Sequence, residues 1–383
     1  MSSHKALYVA RADDKHSCRL IPAQYYFSGT VLAVPEFALP ILSHTNYRVL
    51  IMIKKLVATT IAVMAMQSDA VAAASDALMV AHPQRTLLTD ISYTGAQLVA
   101  VGKHGTIVTS KDGKTWQQAQ VPVQSLLTSV TFASEKKGWA CGHDATILHT
   151  EDGGQSWLIQ QHLPDIEKPC LDITFANEQI GYAVGAYGMM YETTDGGKNW
   201  TKRFIDAFVH PDDVTYLAEL KADDPAAYED ETAFILPHFN TLLIDGSQYL
   251  LAGEMGLFAV SEDAGKNWRK LPEFYAGSLF TISKTADGRV VTAGLRGNAF
   301  VSDAALSQFQ RLAFNKTATI NQVLTVDDQQ YLFANSGVIH TRTETGLSSE
   351  QLKNGKSIMA GVMFEGQLVL ATENGIQIVE VKH

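Results

Sequence analysis

The 383-residue chain carries 40 acidic against 30 basic side chains, a formal charge of −10. That balance disfavours nucleic acid and anionic bilayer surfaces as partners. No Cys-x-x-Cys pair and no Cys/His cluster at ligand spacing occurs, so neither a metal site nor a cofactor is expected.

Residues 1–51 show none of the patterning found later in the chain. They read as a mis-assigned start or a disordered extension. From Met52 the character changes. Met52-Ile-Lys-Lys55 is a basic start, Leu56–Met66 an apolar centre, and Ala70-Val-Ala-Ala-Ala74 a small-residue cleavage site. Residues 52–74 therefore read as a signal peptide, the apolar centre being too short to span a bilayer. Cleavage there leaves an exported, periplasmic chain of roughly 310 residues, expected to be a monomer and at most peripheral to the membrane.

The rest is repetitive. Ser110-Lys-Asp-Gly-Lys-Thr-Trp116, Thr150-Glu-Asp-Gly-Gly-Gln-Ser-Trp157, Thr194-Asp-Gly-Gly-Lys-Asn-Trp200 and Ser261-Glu-Asp-Ala-Gly-Lys-Asn-Trp268 are near-copies. Their tryptophans stand 41, 43 and 68 residues apart, the last interval one period plus an insertion. A period of about 40 residues built from short alternating runs is the mark of a β-propeller, one four-stranded antiparallel blade per repeat. In each Asp-box (BNR) repeat the aspartate (Asp112, Asp152, Asp195, Asp263) is expected to accept the turn's own N–H groups. Its glycines supply positive φ, and its tryptophan (Trp116, Trp157, Trp200, Trp268) buries between blades. No EF-hand-like run surrounds these aspartates, so their role is structural.

The grammar continues without the box at Val291-Thr-Ala-Gly294, Tyr331-Leu-Phe-Ala334 and Leu368-Val-Leu-Ala371, for a count of seven blades. The last lacks an outer strand before the chain stops. An open sheet edge is a liability, so residues 75–84, with the apolar run Ala77-Leu-Met-Val-Ala81, are expected to complete it and close the ring. Cys141 and Cys170 fall on neighbouring blades. The alternating position of Cys141 favours two buried thiols, with a disulfide as the alternative that an oxidising compartment permits.

Candidate binding residues come from topology. The turns between second and third strands share one face with the blade-to-blade connections. They present Lys103, His104, His143, Asp144, Tyr187, Glu254, Arg296 and Glu373, expected to ring the channel mouth. The same face carries an insertion at 205–233, whose stretch Asp206–Glu231 holds nine acids against Lys221 alone. Val214–Leu220 reads as a short helix and Asp223-Asp-Pro225 as the start of another. Loops this long are usually functional or disordered, so a lid, a docking element and a passive loop stay open.

The run Gly-Tyr-Ala-Val-Gly-x-x-Gly-x-Met-x-x-Thr-x-Asp-Gly-Gly-x-x-Trp at 181–200, echoed at 138–157, resembles the propellers of the photosystem II stability and assembly factor family. The resemblance covers residues 86–383 and is clearest in blades one to three. It implies a non-catalytic scaffold that binds a membrane-protein or envelope-complex client, here of a non-photosynthetic bacterial type. The basic patch used by photosynthetic members is not evident, since Arg296 and Lys103 stand isolated.

An accessory subunit of an envelope transporter or export system is a second reading. A sialidase-like glycoside hydrolase is the third, and the residues argue against it. No Phe-Arg-Ile-Pro occurs, and Arg296 is the sole arginine placed in a mouth-facing turn. Glu254, Glu373 and Asp144 are spread around the ring instead of flanking one bond. There is no Gly-x-Ser-x-Gly, and His143 and Asp144 are sequence neighbours, not a positioned pair.

Overall fold

The computed structural model describes residues 75–381; the leading segment and signal peptide read from the sequence lie outside the described residues. The described chain forms seven antiparallel sheets whose strands follow one another in sequence order, the arrangement of a seven-bladed β-propeller. Six sheets have four strands and the seventh has three.

Each blade repeats one physical pattern. Its second strand is buried on both faces because it lies between neighbouring blades. Leu98–Gly102, Gly138–Gly142 and Gly181–Gly185 are buried along their whole length, and small residues at their centres (Ala100, Ala140, Ala183) let the sheets approach. The innermost strands are Leu88–Tyr93, Leu127–Phe132, Cys170–Phe175, Phe239–Asp245, Leu279–Lys284, Ile320–Val326 and Ile358–Phe364. Each carries a register shift after its first residue. Such a bulge leaves one residue unpaired with its own blade.

The freed residues bond to the next blade. Thr89 Oγ1 donates to Leu127 O (2.6 Å), Thr128 Oγ1 to Cys170 O (2.7 Å), Asn240 Nδ2 to Leu279 O (2.9 Å) and Asn321 Nδ2 to Ile358 O (2.7 Å). One position further on, Asp90 Oδ2 accepts from Val130 N (2.8 Å), Asp172 Oδ2 from Leu242 N (3.0 Å), Thr281 Oγ1 from Val323 N (3.0 Å) and Gln322 Oε1 from Gly361 N (2.7 Å). Six seams are thereby laced around the channel.

The closing seam, between blades seven and one, carries no such bond among the described residues. Met359 and Ala360 occupy the lacing positions there. It is held instead by an apolar cluster of Leu88, Ile91, Leu98, Ala100 and Val108 with Ala360, Val369 and Ala371, flanked by Trp116. Tyr93 and Phe364 meet edge to face across it at 5.3 Å. Within residues 75–84, expected to supply the fourth strand of blade seven, residues 76–80 lie along blade one. Ala77 N donates to Val121 O (2.8 Å), and the Gln118 amide bonds both Val80 N (3.0 Å) and Leu78 O (2.9 Å). The side-chain amide of Gln118 there does the work of a strand backbone. The turn Pro83–Arg85 then presses against blade seven, where a Cβ on Gly375 would meet Gln84 O at 1.9 Å.

The four aspartate turns are built as the sequence implies. Asp112 Oδ1 accepts from Lys114 N (2.9 Å) and Thr115 N (2.7 Å); Asp152, Asp195 and Asp263 make equivalent bonds to Ser156 N, Asn199 N and Asn267 N. The side-chain amide and backbone N–H of Asn199 hold the Asp195 carboxyl down at about 2, and the backbone N–H and side-chain amide of Asn267 do the same for Asp263. Trp157 and Trp268 are buried at seams and donate to the carbonyls of Gly154 and Gly265 (both 3.1 Å). Trp200 donates instead to Gln160 Oε1 (3.3 Å) on blade two. Blade five has a fifth such turn, Asp303 accepting from Ser307 N (2.7 Å). It has Leu306 in place of glycine and Phe309 in place of tryptophan, which hides it from a motif reading.

Cys141 and Cys170 are joined as a disulfide, contrary to the expectation of two thiols. Cys141 does alternate inward, but inward on blade two means toward the first residue of blade three, so the two buried side chains share the seam. The bond sits beside Trp139, which stacks on Phe175 at 3.6 Å. Its sequence separation of 29 residues implies a stabilisation of about 2–4 kcal/mol from the restricted unfolded chain. A Cys141→Ala/Cys170→Ala double variant should lose that margin of unfolding free energy and so unfold at a lower guanidinium midpoint. Equal midpoints would show that the seam does not need the bond.

Blade six contains a second stability determinant. His340 is fully buried, stacked on Phe314 at 4.2 Å, with Nδ1 2.7 Å from Ser349 Oγ and no partner for Nε2. Burial pushes its pKa down to about 4, with Lys316 adding to the effect. On acidification the unfolded chain binds this proton first. The contribution of the neutral ring is therefore intact above pH ~6.5 and lost as pH falls toward 4. Urea unfolding should show about 2 kcal/mol of such loss between pH 7 and 4.5, and His340→Leu should abolish that component. An unchanged pH slope in the variant would refute the assignment.

Candidate binding face

The turns between second and third strands share one backbone solution. His104, Asp144, Tyr187, Met255, Arg296 and Ser336 all lie in the left-handed region with φ between 53° and 61°. Five of them precede a glycine that is also at positive φ. At Gly105 a Cβ would meet Val123 O at 1.9 Å, so the second position stays bare while the first lifts its side chain away from the blade. Six of the seven blades thus present one tip side chain, and the identity of that residue differs from blade to blade.

Those tips stand outside the channel. The channel is lined by the inner strands, residues 89–92, 128–131 and their counterparts in the other blades, and encloses ≈ 380 Å³. Lys103 and His104 are exposed in blade one, and His143 in blade two. Asp144 accepts Ser125 Oγ (2.6 Å), which ties it to its own connection. Arg296 is exposed on blade five. Glu373 pairs with Lys356 (3.1 Å), and that hydrogen bond lowers its pKa.

Tyr187 and Glu254 are the two predicted residues that the fold links. Tyr187 meets Phe234 edge to face at 5.1 Å and His238 at 4.6 Å, and His238 Nδ1 lies 3.4 Å from Glu254 Oε1. Met255, the blade-four tip, is 79% exposed and Phe234 59%. Phe234, His238 and Met255 escape a sequence reading that looks for polar turns. The usable signal for Met255 was its place before Gly256, the tip position in five of the blades.

The acidic insertion is folded. Helix α1 spans Val214–Asp223 and helix α2 Pro225–Thr232, the second capped by Asp224, whose Oδ1 accepts from Ala227 N (3.1 Å). Leu217 and Tyr228 bury toward blades three and four together with Ile205, Phe208, Val209 and Leu236. Phe208 meets Phe239 at 5.5 Å and Trp268 at 6.0 Å, and Lys270 Nζ donates to Phe208 O (3.1 Å). At its far end Lys168 Nζ donates to Ala233 O and lies 4.9 Å over the Phe234 ring; burial lowers its pKa. Apolar anchors at both ends fix the acids in place.

Inside the channel two carboxylates depart from the polar lining. Water reaches Asp90 and Asp172, yet the surrounding walls strip most of their hydration, and this raises both. Asp90 reaches about 7, Asp172 adding repulsion while the N–H groups of Val130 and Ile91 oppose the rise. Among the described residues no group of three or more His, Cys, Asp or Glu side chains is placed to hold a metal ion.

Residues 108–165 and 159–220 match the family described as photosynthesis system II assembly factor YCF48. The chain is 39% identical over 54 residues to the photosystem II assembly protein Ycf48 of a Synechococcus, and 31% over 81 residues to YkuO of Bacillus subtilis. This is a Ycf48-like propeller. The aligned stretches are 14% and 21% of this chain and only 16% and 27% of those relatives. A solved structure of YCF48 bound to a D1 peptide superimposes with a TM-score of 0.60 over 80% of this chain and 99% of that one, at 19% identity. YCF48 from Cyanidioschyzon merolae gives 0.58 over 81% and 98%, at 16% identity. At such identities the superpositions speak for the fold alone.

In this Ycf48-like propeller, Asp90 also has a measurable thermodynamic signature. A carboxyl raised on folding contributes stability that is full below its unfolded pKa near 4 and is lost as pH climbs through about 7. Asn in its place keeps the acceptor for Val130 N and never ionises. Asp90→Asn should therefore gain up to about 4 kcal/mol over the parent above pH 8, with the gain shrinking to nothing near pH 4. Parallel urea midpoints across that range would exclude a raised Asp90.

Proposed function

We propose that the protein is a non-catalytic scaffold of the periplasm that holds a membrane-protein or envelope-complex client on the face bearing the tips and the insertion. The observation that carries this reading is the YCF48 family match across residues 108–220, the segment from blade one's third strand into the insertion. The peptide-bound YCF48 structure supports a polypeptide client, since a propeller of the same fold takes one. The Cys141–Cys170 disulfide supports an oxidising compartment. The candidate face supports binding over bond cleavage. Its ionisable groups pair locally, as with Glu373 and Lys356 or Asp144 and Ser125, and do not converge on one point.

The test is co-purification from the native host. An epitope-tagged chain should appear in the osmotic-shock fraction in a shortened form. After crosslinking and detergent extraction it should retain one or a few integral membrane proteins in fixed ratio, and those proteins should fail to accumulate when the chain is deleted. Retention of a full-length chain in the cytosol would overturn the compartment. Normal client levels in the deletion strain would overturn the assembly role.

A further inference from the structure

Resting on that client-binding reading, we propose that the groove between the end of the acidic insertion and blade three receives an extended client segment carrying a bulky apolar side chain flanked by lysine or arginine. The groove encloses ≈ 340 Å³, at the lower end of the range for specific ligand pockets. Met189, Met190 and Phe204 line it, with Ile166 on the side of blade two. Thr232, Ala233 and Phe234 close its other wall. Met189 and Met190 are themselves buried and form its floor, while Phe234 and Tyr187 are the exposed rings at its edge.

The chemistry of the walls selects the occupant. Three cations line the groove, and each is already engaged. Lys168 bonds Ala233 O and covers Phe234, Lys202 pairs with Glu229 (3.2 Å), and Arg203 pairs with Glu192. None is left to capture a small anion or a client carboxylate. Lys168 is buried, with Asp165 also in the lining, and the larger excess of charge lies outside, on the insertion. Glu219, Asp223, Asp230 and Glu231 are exposed and, among the described residues, pair with no cation. Asp230 and Glu231 immediately precede the wall residues Thr232–Phe234. An apolar slot with an acidic rim complements an apolar anchor between basic flanks, and repels the same anchor between acidic ones.

Continuity with the tips extends the footprint. Phe234 touches Tyr187, Tyr187 touches His238, and His238 reaches Glu254 beside the exposed Met255. A segment seated in the groove can therefore run on across the blade-three and blade-four tips. A contiguous exposed aromatic and methionine surface of this kind marks a contact site better than scattered apolar residues do.

The experiment uses the full chain and a fluorescein-labelled octapeptide with Phe-Leu at its centre and two lysines on each side. Anisotropy should show saturable binding that weakens with added salt. Replacing the lysines by glutamates, or the Phe-Leu by Ser-Ser, should weaken it at least tenfold. Phe234→Ala and Tyr187→Ala together should do the same, with circular dichroism confirming that the variant stays folded at the assay temperature, since the two rings are 59% and 40% exposed and Phe234 also covers Lys168. Asp230→Lys with Glu231→Lys should cost the basic peptide about fivefold and improve the acidic one. Equal binding of the two charge variants, or an unaffected double-alanine variant, would overturn the proposal. The outcomes separate from those of the client reading. If membrane clients are retained by the Phe234/Tyr187 variant as by the parent, the groove is wrong and the scaffold stands. If the peptide binds as expected but no client depends on the chain in the host, the scaffold reading fails and the groove stands.

Discussion

The bulge at the second residue of each inner strand governs the geometry of this ring. It takes one residue out of its own sheet's ladder and turns the side chain toward the neighbour, where Thr89, Thr128, Asn240 and Asn321 bond the next blade's first carbonyl. Four-stranded sheets packed only through apolar faces are free to slide, because dispersion is not directional. A hydrogen bond of 2.6–2.9 Å at the axis fixes the register of one blade against the next. The cost of this arrangement is a set of polar groups facing a narrow channel, and the raised carboxyl of Asp90 is its most visible consequence.

The seventh seam departs from the rule for a physical reason. Its lacing positions hold Met359 and Ala360, which offer neither donor nor acceptor, so the seam depends on area and shape. Trp116, Phe364 and Tyr93 supply large rings where the other seams use amides and hydroxyls. The chain entering blade one adds the turn Pro83–Arg85 against Gly375. Closing a ring through packing of distant segments leaves its last joint without a strand of its own among the described residues.

Against this regular frame the candidate face is variable. The left-handed tip demands a backbone, not a side chain, so histidine, aspartate, tyrosine, methionine, arginine and serine all occur there. The insertion joins the frame through Phe208, Leu217 and Tyr228, and its end at Phe234 is pinned by Lys168. Rigid anchoring beneath a variable surface suits recognition, because the contact residues lose little freedom when a partner arrives.

Spacing of Asp-Gly and Trp pairs, continued by the box-free runs ending at Gly294, Ala334 and Ala371, was enough to read blade number, strand order and the turn chemistry, since those depend on contacts within 40 residues. The two helices of the insertion were equally legible, because Asp224 followed by Pro225 is a local start signal. The pairing of Cys141 with Cys170, the course of residues 76–80 along blade one and the meeting of Tyr187 with Phe234 and His238 were not. Each depends on which faces of different blades come together, and alternation along a strand says only that a side chain points inward, not what it meets there. Sequence alone therefore determined the ring and its repeated turns, whose forces are local. Tertiary structure decided the seam chemistry and the composition of the candidate face, because both are set by the angle and register at which one blade packs on the next.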